Sequence, residues 1–416
     1  MRSFARSVRG LPSSTRRLFL ARIIRLFGYG LLAVVLALYL DARDFSDMQI
    51  GLLLTLTLLG DTLVSLGLTT TADRIGRKRI LMLGAALMVG AGVVFASTDN
   101  YIVLVIAATL GVISPSGNEV GPFLSVEQAS LSQLTPAISR TQTLAWYNLL
   151  GSVATASGAL VAGTLSQALQ NGGLPPLASY RVVVLAYASI GLILLLVFAG
   201  LSPDIEAPSA EDDLTILKRR FGLHRSHSIV MQLSALFALD SFAGGFILQS
   251  IIAYWFFLRF DADPAQLGAI FFGANLLAGV SALAAARIAR RIGLINTMVF
   301  THLPSNILLM LVPLMPTFQL AVLTLLLRTS ISQMDVPTRQ SYTLAVVAPD
   351  ERSAAAGITG VARTTGAALA PVLTGPLLAN PALMGLPFFI AGGLKIVYDL
   401  ALFRNFRQVK PPEEVA

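Results

Sequence analysis

The chain has no cysteine and only three histidines among its 416 residues. That removes disulfide frameworks and thiolate metal centres at once. Charge is scarce as well: Asp, Glu, Lys and Arg together make up 12% of the residues, hydrophobic types make up 55%, and mean hydropathy is +0.74. A chain so apolar and so thinly charged does not fold as an ordinary water-soluble protein, and its natural solvent is a lipid bilayer. No phosphate loop, nucleophile constellation or metal-ligand cluster interrupts the apolar runs. An enzyme is therefore not expected, nor is a metal or cofactor. The net charge of +8 would suit nucleic acid, but it is concentrated in one alternate set of loops, where it marks membrane orientation instead.

What is present is a series of long apolar runs. At about 20 residues per crossing, the length leaves room for roughly twelve helices. The arm 1–17 carries Arg2, Arg6, Arg9, Arg16 and Arg17 and no acid, which places it in the cytoplasm. The apolar run after it reaches Leu40, too long for a cleaved signal peptide. Crossings are expected at about 18–40, 48–70, 79–97, 101–124, 141–168 and 181–201. A polar linker at 202–228 follows, then crossings at about 229–257, 265–286, 295–315, 317–338, 353–378 and 383–403, and a basic tail at 404–416. Segment 125–140 reads as a polar inner loop. The fold class is thus an all-α membrane protein of twelve transmembrane helices in two six-helix bundles, 18–201 and 229–403, with both termini cytoplasmic. A bacterial inner membrane and a monomer fit this pattern.

Two stretches stand out within the runs. Ser114-Pro115-Ser116-Gly117-Asn118-Glu119-Val120-Gly121-Pro122 puts two prolines and two glycines at membrane depth, which implies a kinked helix whose freed carbonyls face protein or water. Gly151, Ser157, Gly158 and Gly163 in the fifth crossing would let a neighbouring helix approach closely.

Raising residue numbers by 217 superposes Ala72-Asp73-Arg74-Ile75-Gly76 on Ala289-Arg290-Arg291-Ile292-Gly293, and also pairs Gly28 with Gly245, Asp44 with Asp261, Gln49 with Gln266 and Gly51 with Gly268. The chain therefore reads as two copies of one unit. The charged segment Asp73-Arg74-Ile75-Gly76-Arg77-Lys78, its degenerate copy at 289–293 and the 6+6 layout resemble the major facilitator superfamily of secondary transporters. The signature of that family is Gly-x-x-x-Asp-Arg-x-Gly-Arg-Lys/Arg, with Thr69 standing here at the opening glycine. The fourth crossing lacks the arginine common in proton-coupled members, and the fifth lacks the Gly-Pro motif common in antiporters.

The resemblance implies a small-molecule transporter working by alternating access, with crossings 1, 2, 4, 5, 7, 8, 10 and 11 lining a central path. It also implies a cytoplasmic gate built from Asp73, Arg74, Gly76, Arg77, Lys78, Glu127, Arg290, Arg291 and Gly293. In it Asp73 would face the turn before Ala354 and Arg74 would meet Glu127. The alternative is that these cations only set topology.

Charges inside crossings are the informative residues, because an ionised side chain at mid-membrane costs about 2.5–3.5 kcal/mol even on the mildest scale. Asp61 lies near mid-membrane, as do Arg328 and Arg363; Glu119, Asp335, Asp240 and Arg25 lie toward inner ends. Asp61, Glu119, Asp335 and Asp240 are candidates to carry a proton, or else members of structural pairs, such as Asp61 with Arg25 or Arg363. Arg25, Arg328 and Arg363 could hold an anionic substrate or merely balance acids, and Trp146, Tyr147, Asn148 and Asn275 could shape a pocket. Lys395 and Asp399 suggest an i,i+4 structural pair, His302 a packed histidine, and Trp255 an interfacial anchor. These acids favour export of an amphiphilic or cationic compound against inward proton flow. Proton-coupled uptake of an organic anion is the alternative, and a non-transporting membrane scaffold or sensor is the alternative of another class.

Overall fold

The computed structural model describes residues 13–135, 137–206, 225–348 and 351–409. The arm to residue 12, the linker over 207–224 and the tail from 410 lie outside the described residues. The first half holds α1 (Ser13–Asp41), α2 (Asp47–Ile75), α3 (Arg77–Ser97), α4 (Tyr101–Leu110), α5 (Phe123–Leu134), α6 (Ala137–Asn171) and α7 (Pro176–Ala199). The second holds α8 (His227–Gly245), α9 (Gln249–Phe260), α10 (Pro264–Ile292), α11 (Leu294–Leu311), α12 (Phe318–Ser332), α13 (Asp335–Ala345), α14 (Arg352–Leu369), α15 (Pro371–Leu378) and α16 (Leu386–Phe406). No strand occurs among the described residues.

Nine helical segments among the described residues are long and apolar enough to cross a membrane, with α8 and α9 counted as one. Three further segments are interrupted: α4 with α5, α12 with α13, and α14 with α15. Counting each as one crossing gives twelve. Two of the breaks have local causes. Pro115 and Pro122 remove backbone donors between α4 and α5, and Pro371 opens α15. The expected loop at 125–140 is corrected: most of it is helix, because α5 carries the fourth crossing on to Leu134 and α6 begins at Ala137. Its apolar face of Phe123, Val126 and Leu131 is buried together with Glu127 and Ser130.

By contact the chain forms two compact units. Unit 1 comprises Met1–Phe45, Gly60–Ala210 and Ala262–Phe272, and unit 2 comprises Ser46–Leu59, Glu211–Asp261 and Gly273–Ala416. The opening portions of α2 and α10 thus pack with the opposite half of the sequence, and these two pieces are near-equivalents under the 217-residue offset. In unit 1, α1 runs between α6 and α7, with 83% of its apolar window buried. In unit 2, α8 lies along α14, and α11 packs against α16 and α12.

The sequence repeat is a repeat of backbone geometry. Asp44 and Asp261, an offset pair, adopt φ of +61° and +51°, and among the described residues no other non-glycine has positive φ. The Gln49 and Gln266 side chains each accept the backbone N–H three residues back, from Ser46 at 2.9 Å and Asp263 at 3.0 Å. Gly76 and Gly293 take φ of +109° and +84°, left-handed backbone that a Cβ would strain, and each opens the helix that follows.

The α1–α6 crossing is backbone against backbone. A Cβ on Gly158 would lie 2.0 Å from the Phe27 carbonyl oxygen, and one on Gly30 would lie 2.1 Å from that of Thr155. Gly158→Ala should therefore force the helices apart and lower stability by about 1–3 kcal/mol, read as a lower melting midpoint of the purified protein. Gly90→Ala, at a helical site with nothing within 4 Å, is the control that should melt with the parent.

Candidate functional site

Unit 1 buries a balanced cluster where α1, α5 and α6 meet the α4–α5 break. Arg25, with no exposed surface, donates to Glu127 at 2.6 and 2.8 Å and to Glu119 at 3.0 and 3.2 Å. Arg22 donates to Glu119, to the Tyr147 carbonyl at 3.1 Å and to Asn148 Oδ1 at 3.2 Å, and its guanidinium lies over the Tyr147 ring. The Tyr147 hydroxyl donates to Glu127. Two arginines thus meet two glutamates with every carboxylate oxygen engaged, the condition under which buried charge is tolerated. This corrects one expectation: Glu127 belongs to Arg25 and Tyr147, while Arg74 is exposed. Trp146 is half-buried beside this cluster in sequence.

The α4–α5 break satisfies its own freed carbonyls. Tyr29 donates to Val120 O at 3.2 Å, Tyr187 to Val112 O, and Ser114 to Asn118 O at 2.6 Å. Gly121, at φ +76°, turns its N–H onto Asp61 Oδ1 at 2.5 Å. Ser65 gives Asp61 a second hydrogen bond at 3.2 Å. Asp61 makes no ion pair among the described residues, so the pairing with Arg25 that the sequence allowed is not made.

At the α2–α3 turn, Asp73 pairs with Arg77 at 2.8 Å. Glu206 accepts the backbone N–H groups of Arg77 at 2.6 Å and Lys78 at 3.2 Å, so it caps α3 from the end of the first half. Arg77 also donates to Ile205 O and to Gln133, and Lys78 Nζ to Ala199 O and Leu201 O. Arg77 and Lys78 are therefore held within unit 1, and Asp73 and Arg74 are the exposed members. In unit 2, Arg290 and Arg291 are exposed in the last turn of α10, before Gly293.

Unit 2 holds a second buried network. Asp240 on α8 receives Lys395 Nζ at 2.6 Å and Arg339 Nη1 at 2.9 Å, and Arg339 also reaches Asp335 at 3.2 Å. Asp399 Oδ1 lies 2.9 Å from His302 Nδ1, and its Oδ2 accepts Asn306 Nδ2 at 2.9 Å. The expected pairing of Lys395 with Asp399 along one helix is thus not made, since each has a partner on another helix. Asn275 bridges α10 to α9 by donating to Gln249 at 3.1 Å. Trp255 is 1% exposed and packs on Phe388 with ring centroids 4.8 Å apart, so it is a core residue and not an interfacial anchor.

Arg328 on α12 and Arg363 on α14 differ from every other deep cation. Neither makes an ion pair among the described residues, and the Nε of each, like that of the paired Arg339, is buried with no hydrogen-bond partner. Both lie within electrostatic range of Asp240 and Asp335.

The sequence model of the Major Facilitator Superfamily matches residues 18–371. The chain belongs to this superfamily. It is 32% identical over 407 residues to "Uncharacterized membrane protein YJR124C" of Saccharomyces cerevisiae, with 91% of each chain covered. Among solved superfamily folds, a D-xylose-proton symporter matches with TM-score 0.74 at 15% identity over 96% of this chain and 98% of that one. The nucleoside transporter NupG matches at 0.73 with 16% identity over 95% and 100%. A bacterial homologue of the lysosomal transporter Spinster matches at 0.72 with 15% identity over 95% and 98%. The chain is thus a multi-pass membrane protein of a transporter superfamily.

Within this superfamily fold, sequence reasoning missed Arg22, Glu206 and Arg339. Arg22 reads as one more basic residue near a helix entrance. Glu206 lies in the polar stretch taken for linker. Arg339 lies just beyond the expected end of the tenth crossing, although its i,i+4 spacing from Asp335 was a usable signal.

Proposed function

We propose that the chain is a proton-coupled secondary transporter of a small organic anion, working by alternating access of its two units, with Asp61 as proton carrier and Arg328 and Arg363 as the substrate's countercharge. The observation that carries this reading is the leftover charge. Glu119, Glu127, Asp240 and Asp335 all have arginine or lysine partners, while Arg328 and Arg363 make no ion pair among the described residues. Keeping two unpaired guanidiniums at membrane depth is unfavourable unless a substrate supplies the counterion. Of the four acids that favoured export of a cation, Glu119, Asp240 and Asp335 are neutralised within their own clusters and Asp61 alone is not, which moves the preference to uptake of an anion. Asp61, hydrogen-bonded but not ion-paired, can change protonation without breaking a salt bridge. Asp73 and Arg74 are the exposed residues left to form a gate that breaks and reforms in each cycle.

The basic loops support cytoplasmic termini. The cysteine-free composition fits a bacterial inner membrane, while a yeast relative supports a eukaryotic membrane equally well; the orientation is the same in both.

The test is flux into proteoliposomes of the full chain, with a panel of mono- and dicarboxylates and an external pH probe. External alkalinisation on adding a carboxylate is the expected result. Acidification would instead restore the export reading, and the absence of substrate-dependent proton movement under any gradient would favour a scaffold. Asp61→Asn should abolish concentrative uptake and leave downhill exchange measurable; intact coupling in that variant would refute the role of Asp61.

A further inference from the structure

The buried His302–Asp399 pair has no part in the proposed transport through Asp61, Arg328 and Arg363. His302 and Asn306 on α11 and Lys395 and Asp399 on α16 are each at most 7% exposed. These two helices pack on each other in unit 2. Both ring nitrogens of His302 face carboxylates: Nδ1 lies 2.9 Å from Asp399 Oδ1, and Nε2 lies 4.0 Å from Asp240 Oδ1. A neutral imidazole has one donor and one acceptor nitrogen, so either neutral tautomer turns a lone pair toward a carboxylate oxygen. The doubly protonated ring suits both neighbours, as does a proton placed on Asp399 and donated to Nδ1.

Charge counting leads to the same place. Asp240, Asp335, Arg339 and Lys395 are joined by direct ion pairs, and His302 links them to Asp399, lying 2.9 Å from Asp399 and 4.0 Å from Asp240, so three carboxylates meet two fixed cations in direct contact. One proton on His302 or Asp399 balances these contacting groups. Asn306 holds the second oxygen of Asp399 at 2.9 Å and sits 3.2 Å from His302 Nδ1, fixing the pair in place. The groups around His302 on each packed element are Asp240 from α8, Arg339 and Asp335 from α13 through Asp240, and Lys395, Tyr398 and Asp399 from α16. Arg328 of α12 and Arg363 of α14 act on the same network through Asp240.

We propose that His302 and Asp399 form a second proton-binding site, lying in unit 2 and separate from Asp61, whose proton neutralises the Asp240–Arg339–Lys395 network. The site stands whether or not Asp61 couples transport. Loss of its proton leaves the network with an uncompensated negative charge within range of Arg328 and Arg363, so proton binding there favours an anion at those arginines.

With three histidines in the chain, the site can be read directly. The full-length protein carrying His224→Gln and His227→Gln, labelled with 15N-histidine in lipid nanodiscs, gives one imidazole signal, followed between about pH 5 and pH 9. The expected result is a doubly protonated ring at low pH that converts to one neutral tautomer as pH rises, with Asp399→Asn moving the conversion to lower pH because a neighbouring anion is removed. Back-titration of His302→Gln should release about one proton fewer per chain over that range. A ring fixed in one neutral tautomer throughout, together with equal proton release by His302→Gln, Asp399→Asn and their parent, would overturn the site. Asp61→Asn should leave the His302 titration in place, so failure of Asp61 as carrier and failure of this site give different results.

Discussion

Arg25→Met should lower the stability of the folded protein by about 3–5 kcal/mol, the usual cost of removing one partner from a fully buried ion-pair network. Arg25 is 0% exposed and supplies four hydrogen bonds to two carboxylates, one of which, Glu127, is also 0% exposed. Without the guanidinium, Glu127 keeps only the Tyr147 hydroxyl, while Glu119 keeps Arg22. The asymmetry predicts the rescue: Arg25→Met combined with Glu127→Gln should recover much of the loss, because the carboxylate left without a cation has been neutralised. Thermal unfolding of these two variants, of Glu127→Gln alone and of the parent in detergent completes a double-mutant cycle whose interaction energy isolates the pair. Equal melting of Arg25→Met and its parent would mean that the cluster is hydrated rather than buried, and the account of unit 1 would fail.

That cluster also shows where the sequence was legible and where it was not. Bilayer residence and the duplication could be read directly, since composition and a gapless offset need no tertiary information. The left-handed turns at Asp44 and Asp261 confirm the repeat at the level of backbone angles. Glu127 was misplaced because α5 is rich in Ser, Gln and Glu and reads as a loop. Its helical face of Phe123, Val126, Glu127 and Leu131 was present in the spacing but outweighed by polarity. The proline-marked interruption before Glu119 was foreseeable, and Pro371 gave the same signal inside the eleventh crossing. Lys395 and Asp399 illustrate the opposite limit. Their spacing is right for a pair on one helix, yet Asp240 takes the lysine and His302 takes the aspartate. An i,i+4 pair contributes only about 0.2–0.5 kcal/mol, so buried partners on other helices readily outcompete it, and no local pattern announces them.

Arg328→Gln and Arg363→Gln should move stability and transport in opposite directions. Each arginine carries charge at membrane depth with no ion pair among the described residues and with a buried Nε that has no partner, so the folded protein bears a desolvation cost that Asp240 and Asp335 offset only at longer range. Replacing either with a neutral amide relieves that cost, and melting should stay level or rise by the equivalent of about 1 kcal/mol or more. Under the proposed function the same change removes a charge-assisted contact to the anion. Such a contact is worth about 1.5–3 kcal/mol, or roughly a 10–100-fold rise in the substrate concentration needed for half-maximal uptake. A purely structural arginine would behave in the reverse way, with its loss lowering melting and leaving apparent affinity unchanged. Measuring both quantities on the same preparations therefore decides between a residue kept for the substrate and one kept for the fold. Combined Arg328→Gln and Arg363→Gln should abolish anion uptake while the protein remains folded, the sign of a site whose stability has been traded for binding.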